Sequence, residues 1–251
     1  GSASTLYGSD AVGGVINIIT RKPKEGEVST KVSAAFGSYS KRTFNLYHQG
    51  STKDGFYYAV GLQKDDMGDY KDGHGNTTIN DIDSQTYNVK IGQRFGDRAD
   101  VNLSYNRYKL NYERPEVDGM SGAYTGNRAE GEKNNEKWAL AFDYKFDDKF
   151  RNTLSLFTRT SDLDDNTNHS ADLWLMREET WGISDQLTYT AGPHTLVAGI
   201  DYYKDKMKKY QDRYTSSMTG EVSNKAFFLQ DTMKFGALSV TPGVRFSHHS
   251  L

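Results

Sequence analysis

The chain has 251 residues, enough for one large domain or two small ones. It contains no cysteine, which excludes disulfides and thiolate metal sites, and its formal net charge of −2 gives no sign of the basic surface that nucleic-acid-binding proteins carry. Only 35% of the residues are hydrophobic, yet 13% are aromatic. Soluble chains this polar are usually poor in aromatic residues, whereas strands that alternate between lipid and a wet lumen combine low mean hydropathy with many of them.

Residues 1–23 differ in pattern from everything after them. They read Leu-Tyr-Gly-Ser-Asp-Ala at 6–11, Gly-Gly at 13–14 and Val-Ile-Asn-Ile-Ile-Thr at 15–20. The glycines allow positive φ or close approach of the backbone. The apolar run at 15–19 is predicted to be a buried strand that Pro23 ends. The first residues do not show the basic region and apolar stretch of an export signal. Because a protein of the outer membrane must be exported, we expect such a signal to lie upstream.

Residues 24–251 show period-two alternation in segments of about ten residues. Tyr87, Val89 and Ile91, for example, alternate with Asn88 and Lys90. Because successive side chains of a strand point to opposite faces, each segment has one apolar and one polar face. This pattern predicts an all-β chain with about eleven strands between Glu27 and Ser250.

The connections alternate in length. Short turns rich in Gly, Asp and Pro are predicted at 95–99, 146–149, 191–194 and 235–237, and long polar loops at 68–81, 113–136, 162–172 and 210–221. Aromatic residues recur near strand ends, at Tyr105, Tyr108, Tyr144, Phe146, Tyr189 and Tyr202. A soluble β-sandwich also alternates. The long strands, the short-long alternation and the aromatic girdles favour a transmembrane antiparallel β-barrel instead.

Several side chains are candidates for ligand binding in the predicted extracellular loops. His74 and His169 are candidate haem ligands. Arg114, Tyr124 and Arg128 suit an anionic chelate, because arginine pairs with carboxylates and tyrosine stacks and donates hydrogen bonds. For each of them an ordinary solvated loop is the favoured interpretation. Lys90, Arg94 and Arg107 are expected to face the lumen in structural salt bridges.

The acidic stretch 162–168 is a candidate calcium site through Asp162, Asp164 and Asp165. It departs from the EF-hand pattern, since Thr167 and Leu173 stand where glycine and a bidentate glutamate are needed. A solvated loop is the favoured interpretation of this stretch, and the calcium site is the alternative. No motif for nucleophilic, metal-dependent or phosphate chemistry occurs, so the sequence does not predict an enzyme.

The segment from Ser4 to Thr20 closely resembles the last motif of the plug domain in TonB-dependent outer-membrane receptors. The resemblance implies that 1–23 end a plug domain. It also implies that 24–251 form the N-terminal half of a barrel of twenty-two strands in the outer membrane of a Gram-negative (diderm) bacterium. Its implied partners are outer-membrane lipid, the TonB-ExbB-ExbD complex that supplies energy, and a small-molecule metal chelate.

By the same resemblance, the expected function is active import of an iron chelate, a siderophore or haem, with no cofactor required. Cobalamin is the alternative cargo, because cobalamin receptors of this family hold calcium in acidic extracellular loops. A passive porin would lack the plug motif, while a surface adhesin remains an alternative class. A half barrel leaves two open edges, near 31–36 and 239–246, so these residues by themselves are not expected to insert stably in a membrane.

Overall fold

The structure, a computed structural model, describes residues 23–71, 73–117, 120–121, 123–166, 173–212 and 217–250. All regular secondary structure in these ranges is β-strand. Among the same residues, no helix has the length and apolar character that crossing a membrane requires. The predicted plug segment, 1–22, lies outside the described residues, as does most of the loop at 162–172.

The described residues form fourteen strands. They are β1 (Val28–Phe36), β2 (Arg42–Ser51), β3 (Phe56–Met67), β4 (Tyr70–Lys71), β5 (Thr77–Thr78), β6 (Ile82–Phe95), β7 (Ala99–Val117), β8 (Tyr124–Lys145), β9 (Phe150–Asn166), β10 (Leu173–Ala191), β11 (His194–Gln211), β12 (Met218–Phe235), β13 (Leu238–Val240) and β14 (Gly243–Ser250).

Twelve of these strands make one antiparallel sheet in which neighbours in the chain are neighbours in space. The order is β1-β2-β3-β6-β7-β8-β9-β10-β11-β12, and β13 and β14 both pair with β12 at the far edge. The sheet therefore has eleven strand positions, which confirms the predicted number. The short strands β4 and β5 form a separate hairpin between β3 and β6. The sheet is not closed, because β1 and the β13–β14 position form its two edges.

The tight turns lie where the sequence predicts them, at one end of the sheet. Gly96, Gly192 and Gly236 adopt φ of 58°, 57° and 62° there, a left-handed conformation that glycine reaches without strain. The remaining turn has no such glycine. Instead the carboxylate of Asp147 accepts hydrogen bonds from the backbone N–H of Lys149 and of Phe150, at 2.7 and 2.8 Å.

The sheet has one apolar and one polar face, which we call the outer face and the lumenal face, since the apolar side of a membrane barrel contacts lipid. Two belts of aromatic contacts bound the apolar band. A turn-side belt contains Phe150–Tyr189 (4.5 Å between ring centroids) and Tyr144–Phe146 (4.8 Å). A distal belt contains Tyr105–Trp138 (4.6 Å) and Trp181–Tyr202 (5.0 Å).

Side-chain parity corrects two predictions. Arg107 lies two residues from Tyr105 and therefore shares the outer face, where it stands opposite Glu136 and forms a 3.4 Å ion pair with it. Tyr108 consequently faces the lumen and is not part of a belt. Lys90 and Arg94 do lie on the lumenal face, on β6.

Two fully buried aromatic side chains of the described residues lie on the lumenal face, and each ring covers a glycine of the neighbouring strand. Tyr57 (0% exposed) covers Gly92, and Phe228 (2% exposed) covers Gly199. A Cβ at either glycine would come within 2.3 Å of the ring. These pairs give the wall a packed inner layer without a continuous apolar core.

The predicted loops at 113–136, 162–172 and 210–221 are wrong in extent, because the strands continue into them. β8 runs for 22 residues and β7 and β10 for 19 each, whereas about 9–11 residues cross a bilayer. The side chains of these polar segments alternate between the two faces of the sheet. Their backbones pair with the neighbouring strand of the same hairpin. Roughly half of each long strand therefore projects beyond the distal belt.

Candidate functional site

The projecting part of the lumenal face carries an open depression of about 320 Å³ lined by β6, β7, β8, β9 and β10. The basic residues of the lumenal face that line it are Lys133 and Lys137 on β8 and Arg159 on β9, and one acid of that face, Glu178 on β10, also lines it. Asn106, Asn135 and Tyr108 add uncharged hydrogen-bonding groups. We call the three basic residues and these three uncharged residues the lumenal basic wall.

Charge is poorly compensated in the lumenal basic wall. Lys137 and Arg159 stand directly opposite each other in the β8–β9 register, an arrangement of like charges that destabilises a strand pair. Arg159 donates a hydrogen bond to the Thr180 hydroxyl at 3.1 Å, and the Lys137 ammonium lies 5.5 Å from the Phe157 ring centroid. Within the described residues, Lys133, Lys137 and Arg159 form no salt bridge with a carboxylate. An anion in the lumen would relieve this repulsion.

Arg114, one of the predicted ligand residues, is held by an acid on the lumenal face. Asp165 is 4% exposed and accepts a hydrogen bond from Arg114 Nη2 at 2.7 Å and from Tyr112 Oη at 2.5 Å. Burial, followed by the hydrogen bond to Asp165, raises the pKa of Tyr112 to about 12. The positive charge of Arg114 is thus neutralised within the wall.

A glycine makes this contact between non-neighbouring strands possible. Tyr112 is on β7 and Asp165 on β9, with Gly131 of β8 between them. A Cβ at Gly131 would lie 2.1 Å from Tyr112 Cζ. The missing side chain lets the phenol lie across β8, so that Tyr112, Arg114 and Asp165 lock three strands together.

Arg128, a second predicted ligand residue, belongs to the opposite face. On the outer side it forms ion pairs with Glu113 and, at 2.6 Å, with Asp69. Hydrogen bonds to these two carboxylates raise the pKa of Arg128. Arg114 and Arg128 are therefore not brought together in one site, and both are strand residues, which corrects their placement in a loop.

The three aspartates of the candidate calcium site are also divided between the faces. Asp162 and Asp164 lie on the outer face and both pair with Arg177, at 3.6 Å for Asp162, while Asp165 faces the lumen. All three are residues of β9 and not of a loop. Among the described residues, no group of three or more His, Cys, Asp or Glu side chains could hold a metal ion.

The remaining predicted ligand residues are His74, Tyr124 and His169. His74 lies in the connection between β4 and β5. Tyr124 begins β8, and its side chain lies outside the described part of the chain, as does the whole of His169. Sequence reasoning missed Lys133, because residues 113–136 were interpreted as a loop, and it did not single out Lys137 or Arg159, which lie outside the predicted loops. The spacing of Lys133, Asn135 and Lys137 is a period-two signal that predicts one shared face.

At the turn end of the wall, the backbone that leaves the predicted plug segment is fixed to the sheet. The Pro23 carbonyl accepts a hydrogen bond from Arg94 Nη2 at 2.5 Å. The Arg94 guanidinium lies 5.0 Å from the ring centroid of Tyr57, whose hydroxyl donates to Asp100 at 2.8 Å. The link at Pro23 therefore lies against the lumenal face of β3, β6 and β7.

An antiparallel sheet with one apolar face, aromatic belts and tight turns at one end defines an outer-membrane β-barrel protein. A family model described as TonB dependent receptor-like, beta-barrel, matches residues 29–251. The chain therefore belongs to the TonB-dependent receptor family of the Gram-negative outer membrane, whose members are transporters and not enzymes.

Individual relatives agree with this family. The iron-regulated outer membrane virulence protein of Vibrio cholerae serotype O1 is 36% identical over 118 residues, which are 45% of this chain and 15% of the relative. The ferric citrate transporter FecA, unliganded, matches with a TM-score of 0.76 at 18% identity, covering 99% of this chain and 42% of FecA.

Two further solved structures are of proteins whose names give other substrates. The closed form of the ferric-catecholate import receptor Fiu from E. coli K12 gives a TM-score of 0.74 at 14% identity, over 98% of this chain and 44% of Fiu. The copper transporter OprC gives 0.73 at 17% identity, over 90% of this chain and 38% of OprC. At these identities the likeness establishes the fold alone. The chain spans less than half the length of each of these relatives.

Proposed function

We propose that this chain forms part of the wall of a receptor that imports an anionic iron chelate through its lumen, with energy supplied by the TonB-ExbB-ExbD complex. The observation that carries the proposal is the lumenal basic wall, in which Lys133, Lys137 and Arg159 line one depression and outnumber the single acid of the same face that lines it, Glu178. A ferric carboxylate or catecholate chelate supplies the negative charge that this surface attracts.

Two further observations support the proposal. The Vibrio cholerae relative is named as iron-regulated, which is the expected control for an iron importer. Pro23 is fixed to Arg94, so a plug that ends at residue 23 would be tethered at the turn end of the wall. A periplasmic partner that pulls on the plug would then open the lumen without detaching it.

The first test is ligand binding by the full-length receptor in detergent. Intrinsic fluorescence would be followed during titration with an anionic ferric carboxylate chelate, an anionic ferric catecholate, a neutral ferric hydroxamate, haemin and cyanocobalamin, each with and without calcium. We expect tight binding of an anionic chelate that is indifferent to calcium. Calcium-dependent binding of cyanocobalamin would instead support the alternative cargo and the candidate site around Asp162.

Two triple variants test the lumenal face and the outer face of the sheet separately. The triple variant Lys133→Gln, Lys137→Gln, Arg159→Gln should weaken binding of the anionic chelate about a hundredfold, because each charge-assisted contact contributes roughly 1.5–3 kcal/mol and some strength remains in the uncharged groups. The triple variant Lys64→Gln, Lys109→Gln, Arg177→Gln removes the same charge from the outer face and should leave binding within about threefold. Equal loss in both variants would contradict a lumenal site.

A further inference from the structure

A second open depression, of about 500 Å³, adjoins the lumenal basic wall on β9–β12. It shares Arg159 and Glu178 with the depression of that wall, so the two are continuous. Beyond these shared residues, the lumenal lining on β11 and β12 becomes apolar. We call this part the apolar recess and define it by four lumenal residues, Met207, Met218, Gly220 and Val222.

Strand register places both depressions in one row of the lumenal face. Arg159 stands opposite Thr180, and Thr180 opposite Asp205. Asp205 in turn stands opposite Val222 of the apolar recess. Directly opposite residues of a sheet point to the same side, and neighbouring strands lie about 4.8 Å apart, so Val222 on β12 is about 14 Å from Arg159 on β9. A ligand of that length contacts both depressions.

The polar groups between the two depressions are paired with each other. Arg159 Nη2 donates a hydrogen bond to Thr180 Oγ1 at 3.1 Å, and that hydroxyl donates to Asp205 Oδ1 at 2.6 Å. Thr180 is only 8% exposed. Because Thr180 makes both hydrogen bonds within the wall, an apolar group can cover it without leaving its hydroxyl unpaired.

Exposed apolar side chains are unusual on this face, because the interior of a membrane barrel is polar. Met218 is 50% exposed, and Met207 and Val222 are half-buried. A Cβ at Gly220 would meet no atom within 4 Å, so the recess is open to the lumen there. Methionine is flexible and adapts to apolar groups of varied shape. The recess therefore suits an apolar part of a ligand that arrives through the lumen.

The lining favours an aliphatic chain over an aromatic ring. Among the described residues, no aromatic side chain lines the second depression, whereas a site for a planar ring would supply aromatic faces for stacking. The recess also lies beyond the distal belt of Trp181 and Tyr202, at the opposite end of the wall from Pro23, where the predicted plug segment joins. A ligand that enters from the projecting end reaches the recess and the basic wall together.

On the basis of the proposed function, we propose that the cargo is an amphiphile whose aliphatic chain lies in the apolar recess while its anionic iron-binding head lies on the lumenal basic wall. The shared residue Arg159 sets the order of the two parts, with the charged head on β8 and β9 and the chain on β11 and β12. Removal of the chain from water adds affinity that does not depend on charge.

The test compares two probes that differ only in the chain, on the full-length receptor held in amphipol and free of micelles. The probes are an anionic ferric carboxylate chelate and the same chelate carrying a decanoyl chain. Isothermal titration calorimetry gives the Kd and the heat-capacity change of binding. We expect the acylated probe to bind about a hundredfold more tightly, because several methylene groups leave water, and with a more negative heat-capacity change.

The variants separate the chain site from the head site. Gly220→Ile fills the recess, since a Cβ there meets no neighbouring atom, and should bind both probes with the affinity that the unmodified receptor has for the unacylated one. The triple variant Lys133→Gln, Lys137→Gln, Arg159→Gln should weaken both probes alike. The control Thr153→Ile introduces the same side chain on the lumenal face of β9, outside both depressions, and should keep the hundredfold preference.

Binding of the unacylated probe reports correct folding of each recess variant. Met207→Gln, Met218→Gln is a second way to remove the apolar lining and should lower the preference for the acylated probe at least about tenfold. Equal affinity of the unmodified receptor for the two probes, as expected if the plug fills the recess, or a preference that survives Gly220→Ile, would overturn the amphiphile alone. Binding of neither probe would overturn the proposed function and the amphiphile with it.

Discussion

At the scale of single residues, the contact of Tyr112 and Arg114 with Asp165 is the strongest polar feature of the projecting wall. Asp165 accepts both hydrogen bonds while almost completely shielded from solvent. Hydrogen bonds to a charged group contribute about 1.5–3 kcal/mol each. The carboxylates of the same strand that face outwards, Asp162 and Asp164, are far more exposed and contribute less.

We therefore expect Asp165→Ala to loosen the projecting ends of β7, β8 and β9. The local free energy of opening should fall by about 2–3 kcal/mol, because Tyr112 and Arg114 lose their acceptor. Hydrogen exchange of the full-length receptor would show this as a roughly thirtyfold to hundredfold loss of protection in residues 110–117. Asp162→Ala is the matched control and should change protection less than about threefold. Similar losses in both variants would mean that the burial of Asp165 contributes nothing.

At the scale of the strands, β9 and β10 hold a polar pair inside the lipid-facing band. On β10 the outer-face residues between Trp181 and Tyr189 are Ile183, Asp185 and Leu187, so Asp185 lies midway between the belts. Asn152 of β9 donates a hydrogen bond to Asp185 Oδ1 at 2.7 Å. Lipid offers the carboxyl no hydrogen-bond donor, so the amide of Asn152 is what satisfies it.

This pairing predicts an asymmetric response to mutation. Asn152→Leu should destabilise the inserted receptor by about 1–3 kcal/mol, because Asp185 loses its donor in an apolar environment. The double variant Asn152→Leu, Asp185→Leu should be as stable as the unmodified receptor or more so, since both polar groups are replaced. Urea unfolding of the full-length receptor in lipid vesicles would measure both. If the double variant is no more stable than the single variant, the hydrogen bond is not what stabilises this position.

At the scale of the whole molecule, the sheet has two edges with unpaired backbone groups. Within the described residues, β1 pairs only with β2, and β14 only with β12. Each unsatisfied group costs several kcal/mol in hydrocarbon, which is why membrane strands occur in closed barrels. The outer face between these edges carries exposed apolar side chains such as Val32 (75% exposed) and Phe246 (67%).

The 251 residues expressed alone are accordingly not expected to insert as a stable monomer. Refolded into detergent, they should form aggregates or larger assemblies through β1 and β14, which light scattering coupled to size exclusion would detect. A full-length receptor refolded in the same way is the control and should be monomeric and resistant to unfolding in cold detergent. A folded, monomeric fragment with all edge amides protected from exchange would contradict this expectation.

The sequence by itself determined the class of fold, the number of strand positions and the tight turns. Period-two alternation and turn residues are local signals, and the motif at 4–20 supplied the family. Sequence reasoning placed Arg114, Arg128 and the three aspartates in loops, because polar residues beyond the membrane band carry no apolar signal to mark a strand. It also placed Arg107 on the lumenal face, although a spacing of two residues from Tyr105 predicts the outer face.

Only the tertiary structure decided which charges are neutralised and which are left over. Asp165 reaches Tyr112 and Arg114 across Gly131 because three strands come together with a gap at one glycine. Lys208 and Lys209 reach the same face only because a bulge shifts the register. Such pairings depend on cross-strand register and on local irregularity, which involve residues tens of positions apart. A pattern within one strand does not contain that information.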